Sequence, residues 1–154
     1  MPLSYLDSSA LVKRYLPEIG SGWVIALVGR EPVAISALTL AEMASALGRH
    51  RREGHLSIEQ QGAYYEEFRV EVEGFTISAL TGSVVQQAAA ILLQPSAPHV
   101  LRTLDALHIA SARIVFERAR RRQEAVGAFI SADRALNDAA RWAGLAVENP
   151  EDHP

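Results

Sequence analysis

The sequence predicts an α/β domain, a parallel β-sheet with helices on both faces. Two observations carry this. Short apolar runs with strand character alternate with helix-like stretches from one end of the chain to the other. No repeat, low-complexity tract or linker interrupts them: the only Pro-rich loop, Pro95-Ser96-Ala97-Pro98, is too short to divide domains.

Ser4-Tyr5-Leu6-Asp7 reads as the first strand, and Ser8 or Ser9 is placed to cap a helix through Leu11, Val12 and Tyr15, stopped by Pro17. A short helix over Ser21 to Val28 precedes a strand at Val33-Ala34-Ile35-Ser36, bounded by Pro32. Thr39 opens a helix whose apolar residues Leu40, Met43 and Leu47 recur at helical spacing. A second long helix follows Gly54, from about Ser57 to Val72, and Phe75-Thr76-Ile77-Ser78 is the third strand. Helices are predicted over Thr81 to Leu93 and Thr103 to Arg121. Ala128-Phe129-Ile130-Ser131 is the fourth strand, Arg134 to Ala143 a helix ended by Gly144, and Ala146-Val147-Glu148 a short fifth strand. The polar, Pro-containing end, residues 149–154, reads as a loose tail.

Composition narrows the chemistry. The chain has 154 residues, enough for one domain with a real core. It has no cysteine, which excludes disulfides, thiolate nucleophiles and Cys-based zinc sites. The formal net charge of −3 excludes a protein that is basic overall. Lys13 is the only lysine; the other basic residues are arginines, whose planar fork suits phosphate oxygens. The opening MPLSYLDSSALVKRYL lacks the charge and apolar runs of a signal peptide, and no apolar run reaches membrane-spanning length. The expectation is a cytoplasmic protein.

In an open parallel sheet, ligands bind outside the carboxyl ends of the strands, at the point where strand order reverses. Four acids fall there. Asp7 ends the first strand, Glu42 lies in the first turn of the helix after the second strand, Asp105 starts the long helix, and Asp133 follows the fourth strand. Each has a structural alternative. Asp7 and Asp133 suit helix caps, Thr39 and Glu42 match a capping box, and Asp105 complements a helix dipole. Capping does not explain why every acid falls on one edge. Carboxylates gathered in one cleft repel each other, and a hard divalent cation with oxygen ligands relieves that repulsion. The same arrangement serves metal-assisted phosphodiester hydrolysis.

These residues resemble a known family. Tyr5-Leu6-Asp7-Ser8-Ser9-Ala10-Leu11-Val12-Lys13 looks like the opening motif of a PIN domain. Ser36-Ala37-Leu38-Thr39-Leu40-Ala41-Glu42, Leu104-Asp105-Ala106-Leu107-His108-Ile109-Ala110-Ser111-Ala112 and Phe129-Ile130-Ser131-Ala132-Asp133 look like the next three, in the family's order. The likeness is to the VapC-type toxins. It implies a PIN-like three-layer sandwich over residues 1–148, with a parallel five-stranded sheet. Asp7, Glu42, Asp105 and, more variably, Asp133 would be the catalytic acids and would hold Mg²⁺ or Mn²⁺. Ser9, Thr39 and Ser131 would support them. The implied activity is endonucleolytic RNA cleavage leaving a 5′-phosphate and a 3′-hydroxyl, in a homodimer restrained by a small cognate antitoxin. One departure is the long, arginine-rich stretch Val115 to Gly127 between the third and fourth acids.

Two basic clusters, Arg49-His50-Arg51-Arg52 and Arg118 with Arg120-Arg121-Arg122, are candidates for the RNA backbone, or solvated helix ends. His108, one turn after Asp105, reads as a core residue or one that supports the acids; His50, His55, His99 and His153 show no metal-ligand spacing. A phospho-acceptor receiver would share the fold class but needs a lysine after a late strand, and Lys13 lies in the first helix. Gly20-Ser21-Gly22 is not followed by a phosphate-loop pattern. The alternative within the family, a PIN-like scaffold that only binds RNA or protein, is disfavoured by the presence of all four acids.

Overall fold

The computed structural model describes residues 1–154. Five parallel strands form one sheet: β1 (Leu3–Leu6), β2 (Val33–Ser36), β3 (Thr76–Ser78), β4 (Val126–Ile130) and β5 (Val147–Glu148), in the order β3-β2-β1-β4-β5. The chain starts in the middle of the sheet, steps outward to β2 and β3, then returns to lay β4 on the other side of β1. The order therefore reverses between β1 and β4, where a cleft opens beyond the strand ends.

Side-chain alternation along the central strands explains why both faces are covered. Tyr5, Ala34 and Phe129 point to one face, packed by α5 (Gly82–Leu92), α6 (Thr103–Arg121) and α7 (Arg134–Trp142). Leu6, Ile35 and Ile130 point to the other, under α1 (Ser8–Leu11), α2 (Ser21–Val28), α3 (Leu38–Arg52) and α4 (Ile58–Glu71). Tyr5 stacks on Phe129 at 5.4 Å between ring centroids, joining β1 to β4 directly below the cleft. No helix is long and apolar enough to cross a membrane.

Helix starts account for most departures from the sequence reading. The cap of α1 is Asp7, not Ser8 or Ser9: its carboxylate accepts from the Ala10 amide at 3.0 Å. The helix then tightens into a 3₁₀ turn over Val12–Arg14. The α3 helix begins one residue early, at Leu38, with Ala37 as a cap whose methyl side chain makes no hydrogen bond. The Thr39–Glu42 capping box is therefore not formed. The matching motif forms instead at α4, where Ser57 and Gln60 satisfy each other's backbone amides.

The chain end is structured rather than loose. Pro150–Asp152 form a 3₁₀ turn, with Asn149 and Pro150 buried. Three contacts dock this segment on the α1–α2 region. The buried Lys13 ammonium lies 3.0 Å from Glu18 and 3.3 Å from Glu151. His153 stacks on Trp23 at 4.6 Å. Gly20, at φ +85°, lets Pro150 approach so closely that a Cβ there would lie 2.3 Å from the Pro150 carbonyl oxygen.

Candidate active site

All four acids line one cleft of about 500 Å³, together with Ser8, Ser9, Arg102 and His108. They come from four separate places in the fold: the end of β1, the second turn of α3 (further in than the sequence suggests, because the helix starts at Leu38), the first turn of α6 and the cap of α7. Parallel strands with helices starting at their carboxyl ends bring such positions together, so the convergence follows from the topology. The cleft does not hold a ready-made cation cage, however. No three Asp, Glu or His side chains are gathered closely enough to ligate an ion as they stand. Each acid instead has its own partners.

Asp7 is the most enclosed, with 4% of its surface exposed. The Ser9 hydroxyl reaches both of its oxygens, at 2.8 and 2.9 Å, and the Ser131 hydroxyl donates to Oδ2 at 2.8 Å. Burial nevertheless pushes its carboxyl above the ordinary aspartate value, despite the opposing pull of His108, the Ala10 amide and the two serines. The anion is thus under-compensated, a condition that a cation in the cleft would relieve. The two serines are themselves held. Ser9 accepts from the Ala132 amide at 2.9 Å and Ser131 from the Asp133 amide at 3.0 Å, which pins the loop after β4 to the end of β1.

Glu42 is paired with His108, Nε2 to Oε1 at 2.6 Å. A carboxylate only accepts, so Nε2 carries the hydrogen and donates. The other ring nitrogen, Nδ1, lies 2.8 Å from the Tyr5 hydroxyl, which is fully buried between β1 and α6. Burial would lower the His108 pKa, but the bond to Glu42 and the charges of Asp7, Glu42 and Asp105 raise it above the ordinary value. A polar relay thus runs from the core to Glu42. In sequence His108 looked like a core or supporting histidine; its helical offset of one turn from Asp105 was the available signal, and its long-range partners Tyr5 and Glu42 were not visible.

Asp105 and Asp133 share a partner that the sequence did not bring forward. Arg102, at the cap of α6, places Nε 3.1 Å from Asp105 Oδ2 and Nη2 3.3 Å from Asp133 Oδ2. Asp105 also accepts from the Arg102 backbone amide at 3.0 Å, and Asp133 caps α7 through the Leu136 amide at 3.1 Å. For Asp133, the cap role and a place in the cleft coexist.

The supporting residues divide. Ser9 and Ser131 hydrogen-bond to Asp7. Thr39 does not contact any acid: with α3 starting at Leu38, its side chain is fully buried and its hydroxyl has no hydrogen-bond partner. The basic clusters divide too. Arg49 borders a smaller cleft of about 350 Å³ that shares Ser9 and Asp133 with the acidic one. Arg51 lines the groove between α3 and α4, and Arg52 lies against Gly48 of its own helix. Arg118 and Arg122 sit beside Leu3 and Thr76, at the opposite end of the sheet. Along α6 the distance from Asp105 to Arg118 is about 20 Å at the helical rise per residue. Arg120 and Arg121 share that end of α6.

The donor set is all oxygen apart from His108, which suits a hard divalent cation better than a thiophilic metal. Residues 4–141 match the PIN domain family. Ribonuclease VapC47 of Mycobacterium tuberculosis (strain CDC 1551 / Oshkosh) is 29% identical over 151 residues, covering 95% of this chain and 96% of that protein. Among solved structures, FitAcB from Neisseria gonorrhoeae superposes with a TM-score of 0.62 at 19% identity, over 96% of this chain and 97% of the other. VapC20 of Mycobacterium tuberculosis, a toxin that cleaves the sarcin–ricin loop, gives 0.59 at 19% identity, over 93% and 96%. VapBC2 from Rickettsia felis, bound to a DNA fragment from its promoter, gives 0.60 at 14% identity, over 96% and 98%.

Proposed function

The chain belongs to the PIN domain family, and on that premise we propose that it is a divalent-metal-dependent endoribonuclease, the toxin of a toxin–antitoxin pair. One observation carries the reading: four acids from four separate elements line a single cleft where the sheet order reverses. The similarity to Ribonuclease VapC47 along nearly the whole chain supports RNA as the substrate. The fold shared with a toxin–antitoxin complex from Klebsiella pneumoniae supports a small antitoxin as partner. A homodimer and a cytoplasmic setting complete the proposal.

Asp7, Glu42 and Asp105 would hold Mg²⁺ or Mn²⁺, with Asp133 as the outer member of the set. A bound ion supplies Lewis-acid polarisation of the phosphodiester and lowers the pKa of its water. The chain's own residues set the geometry. Ser9 and Ser131 aim the Asp7 carboxylate through both of its oxygens. His108 aims Glu42, and Tyr5 fixes the imidazole from the other side. Arg49, in the adjoining smaller cleft, is a candidate for a neighbouring phosphate. Water adds to phosphorus, the P–O3′ bond breaks, and a proton passes to the leaving oxygen. The products carry a 5′-phosphate and a 3′-hydroxyl.

The test is cleavage of a single-stranded RNA panel by the purified chain with Mg²⁺ or Mn²⁺. The expected result is internal cleavage with those end groups, stopped by EDTA. Cleavage that persists in EDTA, or 2′,3′-cyclic phosphate ends, would contradict the metal chemistry. RNA binding without cleavage, with either metal, would leave the chain a binding module.

A further inference from the structure

Arg102 is the only arginine or lysine lining the acidic cleft. Its guanidinium bridges two of the four acids, with Nη2 within 3.4 Å of Asp105 Oδ1 as well as 3.3 Å of Asp133 Oδ2. The bridge is not built into the core: the Arg102 side chain is 71% exposed, while that of Asp105 is 10% exposed. The other two acids have different satisfaction, hydroxyls and an amide for Asp7 and an imidazole for Glu42. Asp105 and Asp133 are the two that an arginine holds.

Building on the metal reading above, we infer that Arg102 is a tethered counter-cation with two successive partners. In the metal-free protein it neutralises Asp105 and Asp133, and so competes with a divalent ion for them. An incoming ion displaces it from Asp105. The guanidinium then remains anchored at the cap of α6, on the cleft rim, free to take a substrate phosphate in its fork. Both engaged Asp105 oxygens face this one side chain, so an ion and the intact bridge cannot share them fully. Exposure gives the side chain the freedom to leave, and its short tether keeps it within reach of RNA in the cleft. The same charge thus opposes metal loading and favours substrate binding.

That double role gives the test its sign. Arg102→Gln removes the charge and leaves the backbone amide that Asp105 also accepts from. Its Mn²⁺ affinity, measured by electron paramagnetic resonance without RNA, should rise by about two- to fivefold, the scale of exposed ion pairs. At saturating Mn²⁺, its KM for single-stranded RNA should rise by about threefold or more, with little change in kcat, because a phosphate contact is gone. Arg102→Lys should keep near-wild-type Mn²⁺ affinity and regain only part of the RNA binding, since an ammonium lacks the fork. A folding defect would weaken both affinities; only competition strengthens one and weakens the other. If wild type binds Mn²⁺ and Arg102→Gln binds it no more tightly, the inference falls while the metal site stands. If wild type binds no Mn²⁺, both fall. If metal affinity rises but KM is unchanged, the second role falls.

Discussion

Asp7 combines a helix cap with a buried charge. Its carboxylate caps α1 and is buried, and burial disfavours its charged form. Asparagine caps helices equally well and carries no charge. Asp7→Asn is therefore predicted to melt at or above the wild-type temperature, in thermal unfolding followed by circular dichroism, while losing metal-dependent RNA cleavage. Melting well below wild type would mean that the buried anion is stabilising after all. His108 gives the complementary case. Partners of metal-ligating side chains typically contribute about 10–100-fold to metal affinity. His108→Ala should weaken Mn²⁺ binding on that scale, and His108→Gln, with a donor near the Nε2 position, should restore part of it. A change under twofold in His108→Ala would remove His108 from the site. Asp105→Asn, altering a proposed ligand itself, should lose at least as much.

At the element scale, helix starts decide where the acids point. The α3 helix begins at Leu38 without a side-chain cap, so Glu42 is free to reach His108 instead of its own backbone. The α4 helix has the capping box, away from the cleft. Ser57→Ala should therefore lower stability by about 1 kcal/mol in urea unfolding and leave RNA cleavage unchanged; a fall in kcat would link α4 to the site. The order of strands and helices was legible in the sequence because apolar periodicity and turn residues are local signals. Thr103 to Arg121 and Ser21 to Val28 match their helices end to end. What could not be read was which of two local options wins. Thr39-x-x-Glu42 and Ser57-x-x-Gln60 both match a capping box, and only tertiary packing, with Thr39 buried and His108 opposite Glu42, separates them. The segment after residue 148 is ordered by the same kind of long-range packing. Its polarity suggested a tail, but Lys13, Gly20 and Trp23 anchor it from far away in sequence.

Over the whole molecule, a chain of net charge −3 must bind a polyanion through local rather than global charge. The four acids were legible as strand-end residues, because a parallel sheet puts such positions on one edge. Arginines carry no comparable positional rule, and the structure separates them: Arg49 borders the smaller cleft that adjoins the acidic one, while Arg118 and Arg122 lie at the far end of the sheet. Arg49→Gln should reduce the slope of log affinity against log salt by about 0.7, the value for one phosphate on a single strand. Arg120→Gln with Arg121→Gln should leave that slope unchanged. An equal effect from the distant pair would imply an RNA path that wraps the molecule.

The expectations for metal binding and cleavage rest on the acids at the strand ends closing on one cation. Anomalous diffraction at the manganese edge, from crystals of the chain grown with Mn²⁺, examines that most directly. The account predicts a peak between the Asp7 and Asp105 carboxylates, with Glu42 contributing and Arg102 drawn away from Asp105. A crystal saturated with Mn²⁺ that shows no peak in this cleft, with the Arg102 bridge to both aspartates intact, would contradict it.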